Sequence, residues 1–94
     1  MKKLTKIQLA KFEKAIKAWV CPDSLTSDES MVNCYAKDRR DLTVVLNNLK
    51  KGNFKKAHDK LYWLDTIVRD QVPNDVYDYV IDKEWEKVDD GVRV

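Results

Sequence analysis

Two glycines, two prolines, two cysteines and one histidine in 94 residues set the first limits on this chain. An all-β domain needs turn residues at every reversal, and four glycines and prolines cannot supply them. The elements must therefore be few and long, which means helices. Cys21 and Cys34 are too few for a disulfide framework, and a reducing compartment keeps both as thiols. No run approaches the roughly 20 apolar residues of a membrane span. The opening "MKKLTKIQLAKFEKAIKAW" has lysines throughout and lacks the apolar centre of a secretory leader. A cytoplasmic protein without membrane contact is the expectation. Also missing are a CxxC, an HExxH and a glycine-rich phosphate loop, so neither a metal nor a cofactor is expected.

What is present is a hydrophobic fraction of 44% beside a charged fraction of 36%, a balance that folds. Ninety-four residues suit one domain around one core. The net charge of +2 conceals an asymmetry. Residues 1–63 carry 14 Lys and Arg against 7 Asp and Glu, a balance of +7, whereas residues 64–94 carry 4 against 9, a balance of −5. Polarity of this kind bears on association.

The apolar spacing predicts an all-α domain of four helices, at about 5–20, 28–51, 54–72 and 75–89, around a central antiparallel hairpin. It becomes five if "KDRRD" breaks the second. Thr5 and Gln8 have capping-box spacing, with Leu4 and Leu9 placed as a hydrophobic staple. Leu9, Phe12, Ile16, Trp19 and Val20 share a face of the first helix, and Pro22 ends it. Ser27 is the expected N-cap of the second, with Asp28 and Glu29 favoured by the helix dipole. Its stripe runs through Met31, Cys34, Tyr35, Leu42, Val45, Leu46 and Leu49 to Gly52. Gly52 supplies a left-handed residue and Asn53 a cap. So short a link makes the flanking helices antiparallel. Phe54, Ala57, Leu61, Leu64, Val68 and Val72 then form one stripe up to Pro73. Asn74 is the expected cap of the last helix and Gly91 its stop; Val76, Tyr77, Val80, Ile81 and Val88 make its apolar face.

"KKGNFKKA" resembles the inter-helix turn of a tetratricopeptide repeat, through Gly52, Asn53, Phe54 and Ala57. The likeness covers eight residues, and a single unit makes no solenoid. It is shared hairpin chemistry and implies no family.

Catalysis finds little support. Cys21 follows a helix C-terminus, where the dipole opposes a thiolate, and Cys34 on the apolar stripe reads as a small core residue. His58 reads as structural. The remaining constellation is Asp38, Asp65 and Glu84, each on or near an apolar stripe. The hairpin predicts Asp38 and Asp65 at similar depth on facing surfaces. A metal, pairing with Arg39, Arg40 or Arg69, or a capping role for Asp38 at a helix starting in "RRDL" would each satisfy them.

Two charged faces remain. On the last helix Asp75, Asp78, Asp82, Glu86 and Asp89 form an acidic stripe with Tyr79 at its edge, and Trp85 stands beside it as an exposed anchor. Packing of Trp85 across the first helix is the alternative. The favoured function is a protein-interaction or inhibitor module of the phage or mobile-element accessory type, using this face against a nucleic-acid-handling protein. The alternative is direct, non-specific nucleic-acid binding through Lys3, Lys6, Lys14, Lys17, Lys51, Lys55 and Lys56. Lys50 and Lys60 join them around the turn. Tyr62 and Trp63 would stack on bases, although packing predicts Trp63 to be covered. Pairing of the basic and acidic ends would allow a homo-oligomer.

Overall fold

The computed structural model describes residues 4–83 together with 85 and 86. They form five α-helices: α1 Lys6–Ala18, α2 Glu29–Lys51, α3 Phe54–Tyr62, α4 Thr66–Arg69 and α5 Asn74–Ile81. A 3₁₀ turn at Asp23–Leu25 lies between the first two. Among the described residues there is no strand, and no helix is long and apolar enough to cross a membrane.

Thr5 caps α1 as its spacing predicts. The Gln8 backbone N–H donates to Thr5 Oγ1 at 3.2 Å, and the Thr5 N–H donates to Gln8 Oε1 at 2.8 Å. Phe12 and Ile16 are buried, while Leu4 and Leu9 pack against the core edge. The helix stops at Ala18, short of the expected Val20, which stands exposed. Trp19 is the cause. Its ring lies tilted against Tyr35 of α2, centroids 4.8 Å apart, and its indole N–H donates to Asp38 Oδ2 at 3.3 Å. Arg39 Nη1 donates to the Trp19 carbonyl at 2.8 Å, satisfying a helix-end acceptor.

The same contacts explain why α2 runs unbroken through "KDRRD". Asp38 bonds Trp19, and Asp41 pairs with Lys60 of α3 at 3.1 Å, so neither carboxylate competes for the backbone. Asp28, not Ser27, is the N-cap: its Oδ1 accepts from the N–H groups of Ser30 and Met31. The buried stripe of α2 begins only at Leu42. Cys34, expected in the core, is exposed, while Met31 and Tyr35 of the same stripe are half-buried.

Gly52 adopts φ +80°, the left-handed conformation that glycine takes without strain. Asn53 N–H bonds the Asn48 carbonyl at 2.8 Å and Gly52 N–H the Leu49 carbonyl at 3.2 Å, a Schellman closure. The chain doubles back there, as the short link requires, and α2 packs along α3.

The predicted helix over 54–72 is corrected to two. It halts at Trp63; Asp65 turns extended (ψ 150°) and begins α4, its carbonyl accepting from Arg69 N–H. The break falls at residues 63–65, ahead of the β-branched run Thr66–Ile67–Val68, which is itself helical in α4. The apolar stripe survives the bend nonetheless: Ala57, Leu61, Val68 and Val72 are buried, and Phe54 and Leu64 flank them. Pro73, not Asn74, occupies the cap of α5. That helix ends at Ile81, short of the expected 89, and Lys83 takes φ +54° just beyond it. Glu84 and residues 87–91, which carried the rest of the prediction, lie outside the described residues.

One continuous core results. Phe12 and Ile16 meet Leu42, Val45, Leu46 and Leu49, the α3–α4 stripe, and Val76, Tyr79 and Val80 of α5. It contains no buried charged or polar residue among those described.

Candidate interaction surface

The acidic face of α5 differs from its prediction in the residues that were to anchor it. Tyr79 is 6% exposed and forms part of the core, edge-on to Phe54 at 5.9 Å. Helix α5 turns that side inward to pack on α3 and α1, so the ring is not at a stripe edge. Trp85 is half-buried. It stacks on Phe54 of α3 at 6.0 Å, and its indole N–H donates to the Val80 carbonyl at 3.3 Å. It is therefore packed against the core edge and is not the exposed anchor expected; its described partners are on α3 and α5. Asp75 accepts from Gln8 Nε2 at 2.9 Å, tying the starts of α1 and α5. That bond, more than the Val76 N–H or the charge of Lys11, holds its carboxyl below the usual range against the opposing effect of desolvation. Asp78 and Asp82 are exposed, Glu86 is half-buried, and Asp89 lies outside the described residues.

The lysines divide. Lys50 pairs with Glu13 at 3.2 Å, and Lys17 lies 4.0 Å from the same carboxylate. The Lys50 hydrogen bond and the two positive charges lower the Glu13 pKa. Lys6 and Lys14 are exposed, and Lys3 lies outside the described residues. Lys51, Lys55 and Lys56 stand exposed around the turn. His58 contacts Asp59 Oδ1 through Nδ1 at 3.2 Å and stacks on Tyr62 at 6.1 Å.

The most exposed aromatic surface lies at the α3–α4 bend. Trp63, expected to be covered, is 82% exposed; Ile67 is 67% and Tyr62 54% exposed. The break in the helix is the reason. A straight helix would carry Trp63 and Ile67 along one face towards α5, whereas the bend spends the inward positions on Leu61, Leu64 and Val68. Tyr62 and Trp63 meet edge-to-face at 5.3 Å, and His58 backs the tyrosine, so the rings support one another in place.

Beside Trp63 opens a cleft of about 210 Å³, lined also by Lys37, Asp38, Asp41, Lys60, Leu64, Asp65 and Val68. Asp38 and Asp65 thus face one space, as the hairpin geometry predicts. Among the described residues no three Asp, Glu, His or Cys side chains gather closely enough to hold a metal ion. The short link at Gly52–Asn53 revealed the α2–α3 fold-back, but the apolar spacing did not mark the bend that exposes Trp63.

No family model matches the chain, and no curated protein or solved structure is significantly similar to it.

Proposed function

We propose that this chain is a protein-binding module whose contact surface is the Tyr62–Trp63–Ile67 patch. The exposure of Trp63, at 82%, carries the reading. Isolated exposed apolar residues are ordinary, but an indole, a phenol and an isoleucine within six residues leave apolar area whose burial is favourable. Tryptophan and tyrosine also dominate the centres of protein interfaces. An acidic-face contact with a nucleic-acid-handling protein would fall to Asp78 and Asp82, but the inward turn of Tyr79 and Trp85 shifts the aromatic anchor to Trp63. An inhibitor or accessory role is compatible with either face.

The second reading, direct nucleic-acid binding, is favoured by the position of Tyr62 and Trp63 at the end of the helix that also carries exposed Lys55 and Lys56. Native affinity purification with wild-type protein, Trp63→Ala and Asp78→Lys/Asp82→Lys tests the first reading. Partners lost with Trp63→Ala and kept with the charge reversal support the patch; an unchanged set of partners with Trp63→Ala removes it. Mobility shifts with mixed DNA and RNA test the second. Binding that weakens steeply with salt would favour it, and none at about 50 mM would eliminate it.

A further inference from the structure

We propose that the Trp63 patch receives a basic segment of its protein partner, an arginine or lysine side chain entering the cleft beside the indole. This rests on the contact surface proposed above and adds the chemistry of what occupies it.

Charge complementarity selects the occupant. Three carboxylates and two ammonium groups line the cleft. Lys60 is engaged with Asp41 at 3.1 Å, so that pair is internally neutral. Asp38 accepts the Trp19 indole N–H through Oδ2, a neutral donor that leaves its negative charge in place. Asp65 begins α4 without a side-chain capping bond. Against these two carboxylates stands Lys37 alone, leaving the cleft with one uncompensated negative charge.

Shape agrees with charge. Leu64 and Val68 give the cleft an apolar part, which suits the methylene stem of a long basic side chain. The exposed indole offers a π face to the cationic head. At about 210 Å³ the space is below the roughly 300–1,000 Å³ of small-molecule sites and suits a single side chain. A phosphate would meet the wrong sign.

The test is an NMR titration of the ¹⁵N-labelled full chain, following the three tryptophan indole N–H signals. The probes are acetylated, amidated Leu-Arg-Leu, Leu-norleucine-Leu and Leu-Glu-Leu. The arginine peptide is expected to shift the Trp63 signal most and to bind about two- to fivefold more tightly than the norleucine peptide. Asp65→Asn and Asp38→Asn, the latter keeping an acceptor for Trp19, should remove that preference, and Lys37→Ala should increase it. Equal binding of the arginine and norleucine peptides, a preference for glutamate, or no shift of the Trp63 signal overturns the inference. So does a larger Trp63 shift with oligouridylate that strengthens in Asp65→Asn, or burial of Trp63 in a dimer seen by sedimentation. The two failures remain separable: partners lost with Trp63→Ala but no arginine preference leave the patch and refute the cation. Partners retained with Trp63→Ala refute the patch itself.

Discussion

Replacing Trp63 and Trp85 separately with alanine sets the two large indoles of the C-terminal half against each other. Trp63 is 82% exposed, and its described ring contact is with Tyr62, itself 54% exposed. Truncation there should change stability by no more than about 0.5 kcal/mol. Trp85 stacks on Phe54 with the rings 18° apart, and donates a hydrogen bond to the Val80 carbonyl. Such an aromatic pair contributes about 0.5–1.5 kcal/mol and the hydrogen bond about 1 kcal/mol, so Trp85→Ala should cost roughly 1.5–2.5 kcal/mol. For a domain of this size each kcal/mol moves Tm by about 4–8 °C. Urea and thermal unfolding followed by far-UV circular dichroism give both numbers. The expected order is a fall of about 10 °C for Trp85→Ala and less than about 4 °C for Trp63→Ala. Equal losses would mean that the Trp63 ring is packed, and the contact surface would have no anchor. A neutral Trp63→Ala that also loses its partner would show an indole retained for binding and not for folding.

Other outcomes follow from the same geometry. Gly52→Ala should lower the urea midpoint by the equivalent of about 1–2 kcal/mol, with Gly52→Asn milder, because the new methyl meets nothing within 4 Å and only the φ of +80° opposes it. Thr5→Ala should cost about 1 kcal/mol, read from the same unfolding curves, since it leaves the Gln8 N–H of the capping box without its acceptor. Leu61→Ala, at a site with no exposure, should cost about 2–5 kcal/mol and leave a protein close to its unfolding limit. The Asp75 pKa is lowered in the fold chiefly by Gln8, so its contribution to stability is present above the ordinary carboxylate pKa of about 3.9 and disappears as pH falls through the lower folded value. Gln8→Ala should raise that pKa in a carboxyl NMR titration; an unchanged titration would mean the Gln8–Asp75 bond is absent in solution.

The turn at Gly52 was legible because its chemistry is local. A glycine in the left-handed region, followed by a short link, leaves few directions for the next helix. The Thr5–Gln8 cap was legible for the same reason. Asp38 was not: its spacing placed it on an apolar stripe, and only the bend of Trp19 back towards α2 shows what it bonds. The stripe through Phe54, Leu61 and Val72 predicted which residues are buried there, yet not that the helix carrying them breaks at residues 63–65. Periodicity records which side faces the core and is insensitive to a bend that keeps that side inward.

The sequence by itself determined an all-α chain, the place where it reverses and most of the residues that meet in its interior. Sparse glycine and proline, helical apolar spacing and local capping act over a few residues and need no knowledge of the rest. Tertiary structure alone decided which tryptophans are covered. Trp63 and Trp85 both stand beside an apolar stripe, and their exposure depends on where α3 breaks and how α5 crosses it. Packing between distant segments sets that choice, and with it the surface available to a partner.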